Sequence, residues 1–506
     1  MGIVGMLPVT RQFDAALRIV GVLRAAGYEA YLAGGCVRDL LLGREPKDYD
    51  VATSATPDVV LGMFPRTVAV GAHFGVVLVA IFGGADAACA AGAELAETRQ
   101  VLTEVATFRS DGVYSDGRHP DEVRYTKSAE EDVQRRDFTI NGLLLEPDRL
   151  FPPGLKPSFP ADANVRAEAR TLRDESSSLS VQENSVQENL RSAVIDHVGG
   201  LADLDAGVIR AIGRAERRFE EDQLRLLRAV RFAARFGFSI EAGTHAAMRA
   251  LAPRIHAVSR ERVRDELTKM LVEGRARRAF ELLDETGLLI EVLPEGARMK
   301  GVEQPPQFHP EGDVWTHTLM LLEQLEPDCA LTLAWGALLH DVGKPPTFRR
   351  APDRIRFDGH VEVGVAMGAE ICRRFRFSNN ETRQILALIE NHMRFGDAAR
   401  MKASTLKRFF RMEGFEEHLA LHRMDCLAAS GNLDHWEFVR ERYQAMPEDA
   451  VRPKPLITGR ELIGAGYVPG AQFKEMLQAA EDAQLEGTIR TADEALALVR
   501  ERFPRM

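Results

Sequence analysis

The chain has 506 residues, of which 45% are hydrophobic and 28% are charged, and its formal net charge is −10. This length exceeds what one hydrophobic core usually holds, so we expect several domains with the composition of an ordinary globular protein. The acidic average argues against a polyanionic partner, yet residues 210–280 contain 17 Lys/Arg and 9 Asp/Glu, which fits either a phosphate-binding surface or a set of solvated Arg-rich helices.

The lengths of the apolar runs and the placement of the cysteines indicate the cellular compartment of the protein. The longest apolar runs, such as 76–82, are too short to cross a bilayer, and the N-terminus lacks the pattern of a secretory signal. The five cysteines are scattered and form no CxxC pair, which argues against a disulfide framework or a zinc-thiolate site. We therefore expect a cytoplasmic protein without membrane contact.

The first 150 residues alternate between helical and strand-like segments. Helical apolar spacing covers 13–26, and the strand-like runs that follow are EAYLAG, DYDVAT, TVAVG, VVLVAIF, TEVATF and VRYT. The Ala-rich stretch 85–100 fits a helical insertion between two strands. Together these segments predict a small mixed α/β domain over 10–147.

The rest of the chain changes character twice. Residues 148–194 are polar and contain a tandem SVQEN repeat, which predicts a disordered insertion. From Leu201 onward the apolar spacing is helical, for example in QLRLLRAVRFAARF and RERVRDELTKMLVEG. We expect helical regions over 195–308, 309–430 and 431–506.

Two acids stand near the N-terminus, just after a glycine-rich turn. Gly34 and Gly35 would let backbone approach a ligand, and Arg38 could hold phosphate. Asp48 and Asp50 would share one face of a strand, where two carboxylates suit a hard cation such as Mg²⁺. The alternative for the two acids is a solvated strand edge without a ligand, and the alternative for the glycines is an ordinary turn between a strand and a helix.

A third acid and an arginine pair extend this set. Glu104 alternates with apolar strand residues, and its carboxylate would join the pair if the two strands are neighbours. In RRDFTINGLL, Arg135 and Arg136 could bind phosphate, while Asp137 and Asn141, four residues apart on a helix, could reach a ribose or triphosphate. A capped helix with surface arginines is the alternative.

Asp222 and Arg225 are expected three residues apart on one helix face. The carboxylate accepts and the guanidinium donates hydrogen bonds. Cytosine and adenine both present an amine beside an unprotonated ring nitrogen, so such a pair would accept C and A and reject U and G. An intrahelical salt bridge is the alternative.

Most histidines fall in 309–430, and six side chains there have the types that bind metals. Imidazole and carboxylate together suit a transition metal, Mg²⁺ or Mn²⁺, with room for two ions. One such histidine would more often be a core residue. The six candidates are His317, His340, Asp341, His360, His392 and Asp425.

In their order along the chain, these motifs resemble the class II tRNA nucleotidyltransferases, that is, the CCA-adding enzymes and the bacterial poly(A) polymerases. The matching stretches are GGCVRD (34–39), DYD (48–50), EVATFR (104–109), RRDFTIN (135–141), DHVGGLADL (196–204), VIRAIG (208–213), EDQLRLLRAVRF (221–232) and SRERVRDEL (259–267). The histidine block resembles an HD-type metal phosphohydrolase.

The resemblance implies an α+β architecture: a nucleotidyltransferase head (10–147), the insertion, a helical neck and body (195–308), an HD-type domain (309–430) and a helical tail. It implies that Asp48, Asp50 and Glu104 bind catalytic Mg²⁺. It also implies a nucleotide site that contains Gly34, Gly35, Arg38, Arg136, Asp137, Asn141, Asp222, Arg225 and Arg228. The HD-type residues would bind a divalent metal of unknown identity.

The implied reaction is template-independent addition of C, C and A to the 3′ end of tRNA from CTP and ATP. Residues 111–123 resemble the family's flexible loop for the switch from C to A, and 71–75 lacks the strongly basic form of poly(A) polymerases. Three questions stay open here: A-only or poly(A) addition, an HD phosphohydrolase with an RNA-binding N-terminal part, and the oligomeric state.

Overall fold

The fold is described from a computed structural model that covers residues 10–69, 75–82, 100–111, 123–150, 187–307, 309–310 and 312–504. The expected helix over 85–100, most of the loop 111–123, nearly all of 71–75 and most of the insertion 148–194 lie outside the described residues. The chain divides into two compact units, one ending at Val258 and one beginning at Ser259. The finer domain boundaries stay a prediction.

The first unit contains a mixed sheet followed by helices. Its strands are β1 (Ala30–Ala33), β2 (Val51–Thr53), β3 (Thr67–Val68), β4 (Val76–Phe82), β5 (Gln100–Thr107), β6 (Arg109–Asp111), β7 (Val123–Tyr125), β8 (Leu143–Leu145), β9 (Val194–Asp196), β10 (Val208–Ile209) and β11 (Ser239–Ile240). Its helices are α1 (Arg11–Ala25), α2 (Gly35–Leu41), α3 (Pro57–Met63), α4 (Ala129–Gln134), α5 (Pro147–Leu150), α6 (Gly200–Ala206), α7 (Ala215–Glu221), α8 (Leu224–Phe236) and α9 (Ala242–Leu251).

Seven strands form the main sheet in the order β3-β4-β5-β2-β1-β8-β9. Only β2 and β5 are parallel among the described neighbours, and the other pairs are antiparallel. The Thr10 side chain caps α1 by accepting from Phe13 N, and the helix buries Ile19 and Leu23. A core cluster packs residues of the sheet, among them Leu144, against Phe108 and Val133.

The helices after the sheet follow the predicted periodicity. QLRLLRAVRFAARF forms α8, which buries Leu226, Val230 and Ala233 and ends at Gly237, whose φ of +72 favours glycine. The strand predictions are confirmed for 76–82 and for the run that contains Glu104, whereas the strand expected over DYDVAT is only Val51–Thr53.

The second unit is almost entirely helical. Its helices are α10 (Arg260–Val272), α11 (Ala276–Glu285), α12 (Leu288–Val292), α13 (Pro294–Ala297), α14 (Val314–Glu323), α15 (Leu331–Leu339), α16 (Lys344–Thr347), α17 (His360–Arg374), α18 (Asn379–Asn391), α19 (Ala403–Phe410), α20 (Phe415–Ala428), α21 (Asp434–Ala445), α22 (Glu448–Val451), α23 (Gly459–Gly464), α24 (Gln472–Glu486) and α25 (Ala492–Arg502). The small hairpin of β12 (Arg349–Arg350) and β13 (Ile355–Arg356) is antiparallel.

Two apolar clusters hold the later helices of this unit together. One packs Phe395, Phe409 and Phe415, and the other packs Leu462 with Val499 in the tail. The α+β fold with a mixed-sheet head followed by helices is thereby confirmed. Within the described part of the chain, we find no helix with both the length and the apolarity that a membrane crossing requires.

Candidate functional site

Three carboxylates lie at the junction of β2 and β5. Val51 pairs with Val105 in the parallel register, which places Asp50 beside Glu104. The two strands are therefore neighbours, which was the condition for Glu104 to join the acidic pair. The expected position of Asp48 and Asp50 on a strand is wrong, because β2 begins at Val51. The Asp50 carbonyl still accepts from Ala33 N at 3.0 Å, so the backbone at Asp50 runs beside β1.

The Asp50 carboxyl group shows the electrostatic consequence. Burial and the carboxylates of Glu104 and Asp48 raise its pKa to about 6, although the Arg136 guanidinium opposes this rise. Asp48 and Glu104 are exposed, while Asp50 is half-buried. Such crowding of negative charge favours a cation with oxygen ligands. This cluster is looser than the histidine groups described below, whose ligand atoms all lie within 4.8 Å of one another.

Gly34 lets Arg136 approach this cluster. Gly34 has φ +75, a backbone conformation that favours glycine, and a Cβ there would lie 2.8 Å from Arg136 Nη1. Gly35 begins α2 directly afterwards. The Arg136 guanidinium also donates to Asp132 Oδ2 at 3.0 Å. It is thus held beside the carboxylates and the Gly-Gly turn, and its binding of phosphate stays a prediction.

Arg38 has a different environment from the one expected. Its side chain is buried, donates to Asp39 Oδ1 at 2.8 Å and to the Asn141 side-chain oxygen, and lies 4.6 Å from the centre of the Phe236 ring. A guanidinium engaged in this way orders α2 against α8 rather than reaching into open space. The expected direct phosphate contact of Arg38 receives no support from this placement.

The sequence analysis missed Asp132. This buried carboxylate accepts from Arg135 Nη2 at 2.7 Å and from Arg136 Nη2 at 3.0 Å. Burial alone would raise the pKa of Asp132, but the two arginines outweigh it and lower that pKa. The available signal was its spacing, because an acid three and four residues before two arginines lies on the same side of a helical turn.

Asp137 and Asn141 meet, but not on an α-helix. The segment Thr139–Asn141 is a 3₁₀ turn, and Asn141 Nδ2 donates to Asp137 Oδ1 at 2.9 Å. The expected α-helix is wrong because the chain turns at once into β8. Arg228 of α8 donates to Asp137 Oδ2 at 2.8 Å. Burial alone would raise the pKa of Asp137, yet Arg228 and Asn141 lower it to about 2.

Asp222 and Arg225 do not share a helix face as predicted. Helix α7 ends at Glu221, and Asp222 lies in extended backbone between two helices, where its Oδ1 accepts from Leu224 N at 3.0 Å. The extended backbone at Asp222 ends α7, and α8 begins two residues later at Leu224. The Arg225 guanidinium donates to Glu221 Oε2 at 2.9 Å and to the Arg135 carbonyl at 3.1 Å.

A cavity of about 400 Å³ lies beside Arg135 and the end of α7. Polar and charged side chains line it: Ser110, Ser128, Glu130, Glu131, Gln134, Arg135 and Arg218. The cavity therefore lies next to Arg135, whose carbonyl accepts from Arg225. The described residues of the first unit thus combine a carboxylate cluster, a held arginine and a polar cavity.

In the second unit, all six predicted metal-binding side chains come together, and we call this cluster the histidine centre. His317, His340 and Asp425 form one group, and Asp341, His360 and His392 form the other. The rings of His317 and His340, of His340 and His392, and of His360 and His392 are each 5.5 Å apart between centroids. The six residues come from different parts of the unit, from His317 in α14 to Asp425 in α20.

The protonation of three rings suits a cation. His340 Nδ1 faces the Ala337 carbonyl at 2.9 Å, His360 Nδ1 faces a carbonyl at 3.0 Å, and His392 Nδ1 does so at 2.7 Å. Because a carbonyl only accepts, Nδ1 carries a proton, and in the neutral ring the lone pair is therefore on Nε2. These Nε2 atoms and Asp341 Oδ1 are buried without a hydrogen-bond partner among the described residues.

Asp341 joins the two groups. Its Oδ2 accepts from Lys344 Nζ at 2.6 Å and lies 3.2 Å from His340 Nε2. Burial alone would raise the pKa of Asp341, but Lys344 and, when its ring is protonated, His340 lower it well below the usual range. When no proton lies between them, His340 Nε2 and the Asp341 carboxylate present lone pairs to each other, and a divalent cation fits between two such groups. Lys344 was missed, although it follows Asp341 by three residues.

Three family models match the chain. The model of the poly A polymerase head domain matches residues 30–151, the probable RNA and SrmB-binding site of polymerase A matches 237–300, and the HD domain matches 313–430. These ranges contain the carboxylate cluster, the segment from Gly237 onward and the histidine centre. The similarity therefore extends over both units.

Individual relatives agree with the family models. The CCA-adding enzyme of Geobacillus thermodenitrificans is 37% identical over 276 residues, which is 54% of this chain and 54% of that protein. That of Streptococcus thermophilus is 28% identical over 490 residues, 96% of each chain. Against five of these CCA-adding enzymes, the chain spans only 53% to 64% of the relative's length.

A solved structure resembles the whole chain. The structure of the Bacillus stearothermophilus CCA-adding enzyme in complex with CTP is 27% identical and has a TM-score of 0.66. The similarity covers 98% of this chain and 98% of that one. Sequence and fold thus agree on one family.

Proposed function

Because the chain belongs to the class II family of CCA-adding enzymes and bacterial poly(A) polymerases, we propose that it adds C, C and A to the 3′ end of tRNA from CTP and ATP. The observation that carries this proposal is the parallel pairing of β2 with β5, which places Asp50 beside Glu104. The raised pKa of Asp50 supports a cation-binding role for this cluster.

Asp48 and Asp50 would bind Mg²⁺, and Glu104 would complete the set. Bound there, Mg²⁺ would supply activation of the tRNA 3′ hydroxyl and neutralisation of the leaving pyrophosphate. The exposed side chains of Asp48 and Glu104 have room to turn toward such an ion.

Arg136 would hold the triphosphate, because it is fixed beside Asp50 and the Gly34 turn. The Asp137–Asn141 pair, held by Arg228, would face the ribose. Arg38 takes a positioning role in this proposal, since its guanidinium orders Asn141 rather than touching the nucleotide.

Base choice would lie with Asp222 and Arg225. Both are fixed before a nucleotide binds: Asp222 by the start of α8, and Arg225 by Glu221 and the Arg135 carbonyl. A fixed acceptor and a fixed donor select the amine and ring nitrogen that C and A share. The cavity next to Arg135 offers space for the base.

The direct test uses tRNA transcripts that lack the 3′ CCA, incubated with CTP, ATP or both. We expect two nucleotides to be added with CTP alone and three with both, resolved by denaturing electrophoresis. Addition of A without CTP would favour an A-adding enzyme, and a long ladder would favour poly(A) polymerase. The absence of any extension would contradict nucleotidyl transfer.

A second function, metal-dependent phosphate ester hydrolysis at RNA ends, is favoured by the histidine centre. It would remove a 3′ phosphate and so prepare an RNA end for addition. The two ligand groups would hold one or two divalent ions, which would supply an activated hydroxide. Metal analysis of the reconstituted protein tests this function, and a protein that contains no metal would contradict it.

The four described cysteines are free thiols, which supports a cytoplasmic location.

A further inference from the structure

Gln304 is a buried amide next to the histidine centre whose nitrogen has no assigned role. Its side chain is only 3% exposed. The amide oxygen accepts from Lys344 Nζ at 2.7 Å. The amide nitrogen has no hydrogen-bond partner among the residues that the structure describes. Buried amide donors almost always have a partner, so this nitrogen is a donor that a bound ligand can use.

Lys344 fixes both the orientation and the place of this amide. Because an ammonium group only donates, the amide oxygen must face Lys344, and the NH₂ group must face away from it. Lys344 Nζ also donates to Asp341 Oδ2 at 2.6 Å and lies 5.4 Å from the centre of the Phe357 ring. Gln304 therefore lies within two hydrogen bonds of a carboxylate in the histidine centre.

The chemistry of the unpaired atom limits its partner. An NH₂ group cannot bind a cation, so it is not a seventh metal ligand. It needs an acceptor, and an anionic oxygen makes the stronger hydrogen bond. Next to Lys344 and one or two divalent ions, an anion is also favoured by charge.

We propose that Gln304 is a substrate-binding residue of the histidine centre, whose amide donates to a non-bridging oxygen of the substrate phosphate. This inference rests on the proposed phosphohydrolase function and adds a specificity-determining residue to it. Lys344 is then a positioning residue, because it holds Gln304 and Asp341 in one arrangement.

The experiment uses the full chain loaded with Mn²⁺ and inorganic phosphate as the probe. Gln304→Glu keeps an acceptor for Lys344 but replaces the donor by a negative oxygen, and Gln304→Leu removes both. We expect each variant to bind phosphate at least tenfold more weakly by calorimetric titration, with unchanged metal content. For an RNA with a 3′ phosphate, KM should rise by a similar factor while kcat changes little.

Gln307→Ala is the matched control, because Gln307 lies in the same segment but is exposed. It should bind phosphate like the wild type, and all variants should retain nucleotide addition. Unchanged phosphate affinity in Gln304→Glu and Gln304→Leu would overturn the proposal and leave an ordered water as the partner. Loss of metal in these variants would also overturn it in favour of a purely structural role. A wild-type chain that binds no metal would instead overturn the phosphohydrolase itself.

Discussion

At the scale of single residues, Asp50 shows how neighbours set the chemistry of a side chain. Two carboxylates and partial burial raise its pKa, and one guanidinium limits the rise. An isolated aspartate would show none of this. Under the proposed function, a bound cation would remove the cost of holding three acids together, and the same acids would then act on the nucleotide.

Asp50→Asn should abolish nucleotide addition to tRNA. The amide keeps the size of the side chain but loses the charge that binds Mg²⁺, which contributes several kcal/mol to the transition state. We expect a rate loss of at least about 100-fold with tRNA binding intact, measured by incorporation of labelled nucleotide and by filter binding. Asp58→Asn is the control, because Asp58 is exposed on α3. Addition at the wild-type rate by the Asp50 variant would refute the role.

Arg225→Ala should relax the choice of base. Its guanidinium is fixed by Glu221 and the Arg135 carbonyl, and under the proposed function its loss would remove a donor that C and A would both use. A bidentate base contact contributes about 1–3 kcal/mol of discrimination, so we expect UTP incorporation to rise roughly tenfold relative to CTP. The exposed Arg217 of α7 gives the control variant Arg217→Ala. Unaltered selectivity in Arg225→Ala would count against base reading.

At the scale of elements, small residues let the turn after Asp341 pack on α17. A Cβ on Gly343 would lie 2.0 Å from the His360 carbonyl and 2.6 Å from Gly364 N. One helical turn further along α17, a Cβ on Gly368 would lie 2.7 Å from Ile389 of α18. This close packing brings Asp341 near His360 and His392.

Gly343→Ala should therefore weaken the histidine centre. The backbone cannot move aside cheaply, so we expect a loss of stability of about 1–3 kcal/mol, seen as a lower Tm, together with reduced metal content. Gly464→Ala is the control, because no heavy atom lies within 4 Å of a Cβ there. A Gly343 variant with the wild-type Tm and full metal content would show that the turn has more room than the distances indicate.

At the scale of the whole molecule, the two units differ in what stabilises them. The first is organised by a sheet, and the second depends on helices that bury aromatic clusters and several histidines. His418 of α20 is 1% exposed, and its ring nitrogens have no partner among the described residues. Burial and, to a lesser degree, Arg394 lower the pKa of His418 to about 4.

The second unit should therefore lose stability in mild acid. Below pH 6.5 the unfolded chain binds a proton at His418, whereas the folded chain does so only near pH 4, so the contribution present above pH 6.5 is lost as the pH falls. One such group changes stability by at most about 1.4 kcal/mol per pH unit. His418→Leu should flatten the dependence of Tm on pH between 6.5 and 4. His435→Leu, at an exposed position of α21, should not. Equal slopes in both variants would contradict the assignment.

The sequence by itself determined which chemical groups this protein has. The acids at 48, 50 and 104, the arginine pair, and the six side chains of the histidine centre were all identified from residue type, spacing and family resemblance. Helix positions such as α8 also followed, because an amphipathic period is a local property. The α+β class needed nothing beyond these patterns.

Only the tertiary structure decided which groups meet. The register of β2 with β5 joins Asp50 to Glu104, and helix packing joins His317 to Asp425 across more than 100 residues. The tertiary structure also buries Arg38, leaves Asp222 outside the helix that carries Arg225, and brings the Gln304 amide oxygen to Lys344 Nζ. These outcomes depend on contacts between distant segments, whose energies compete only when the whole core is packed, so local patterns cannot specify them.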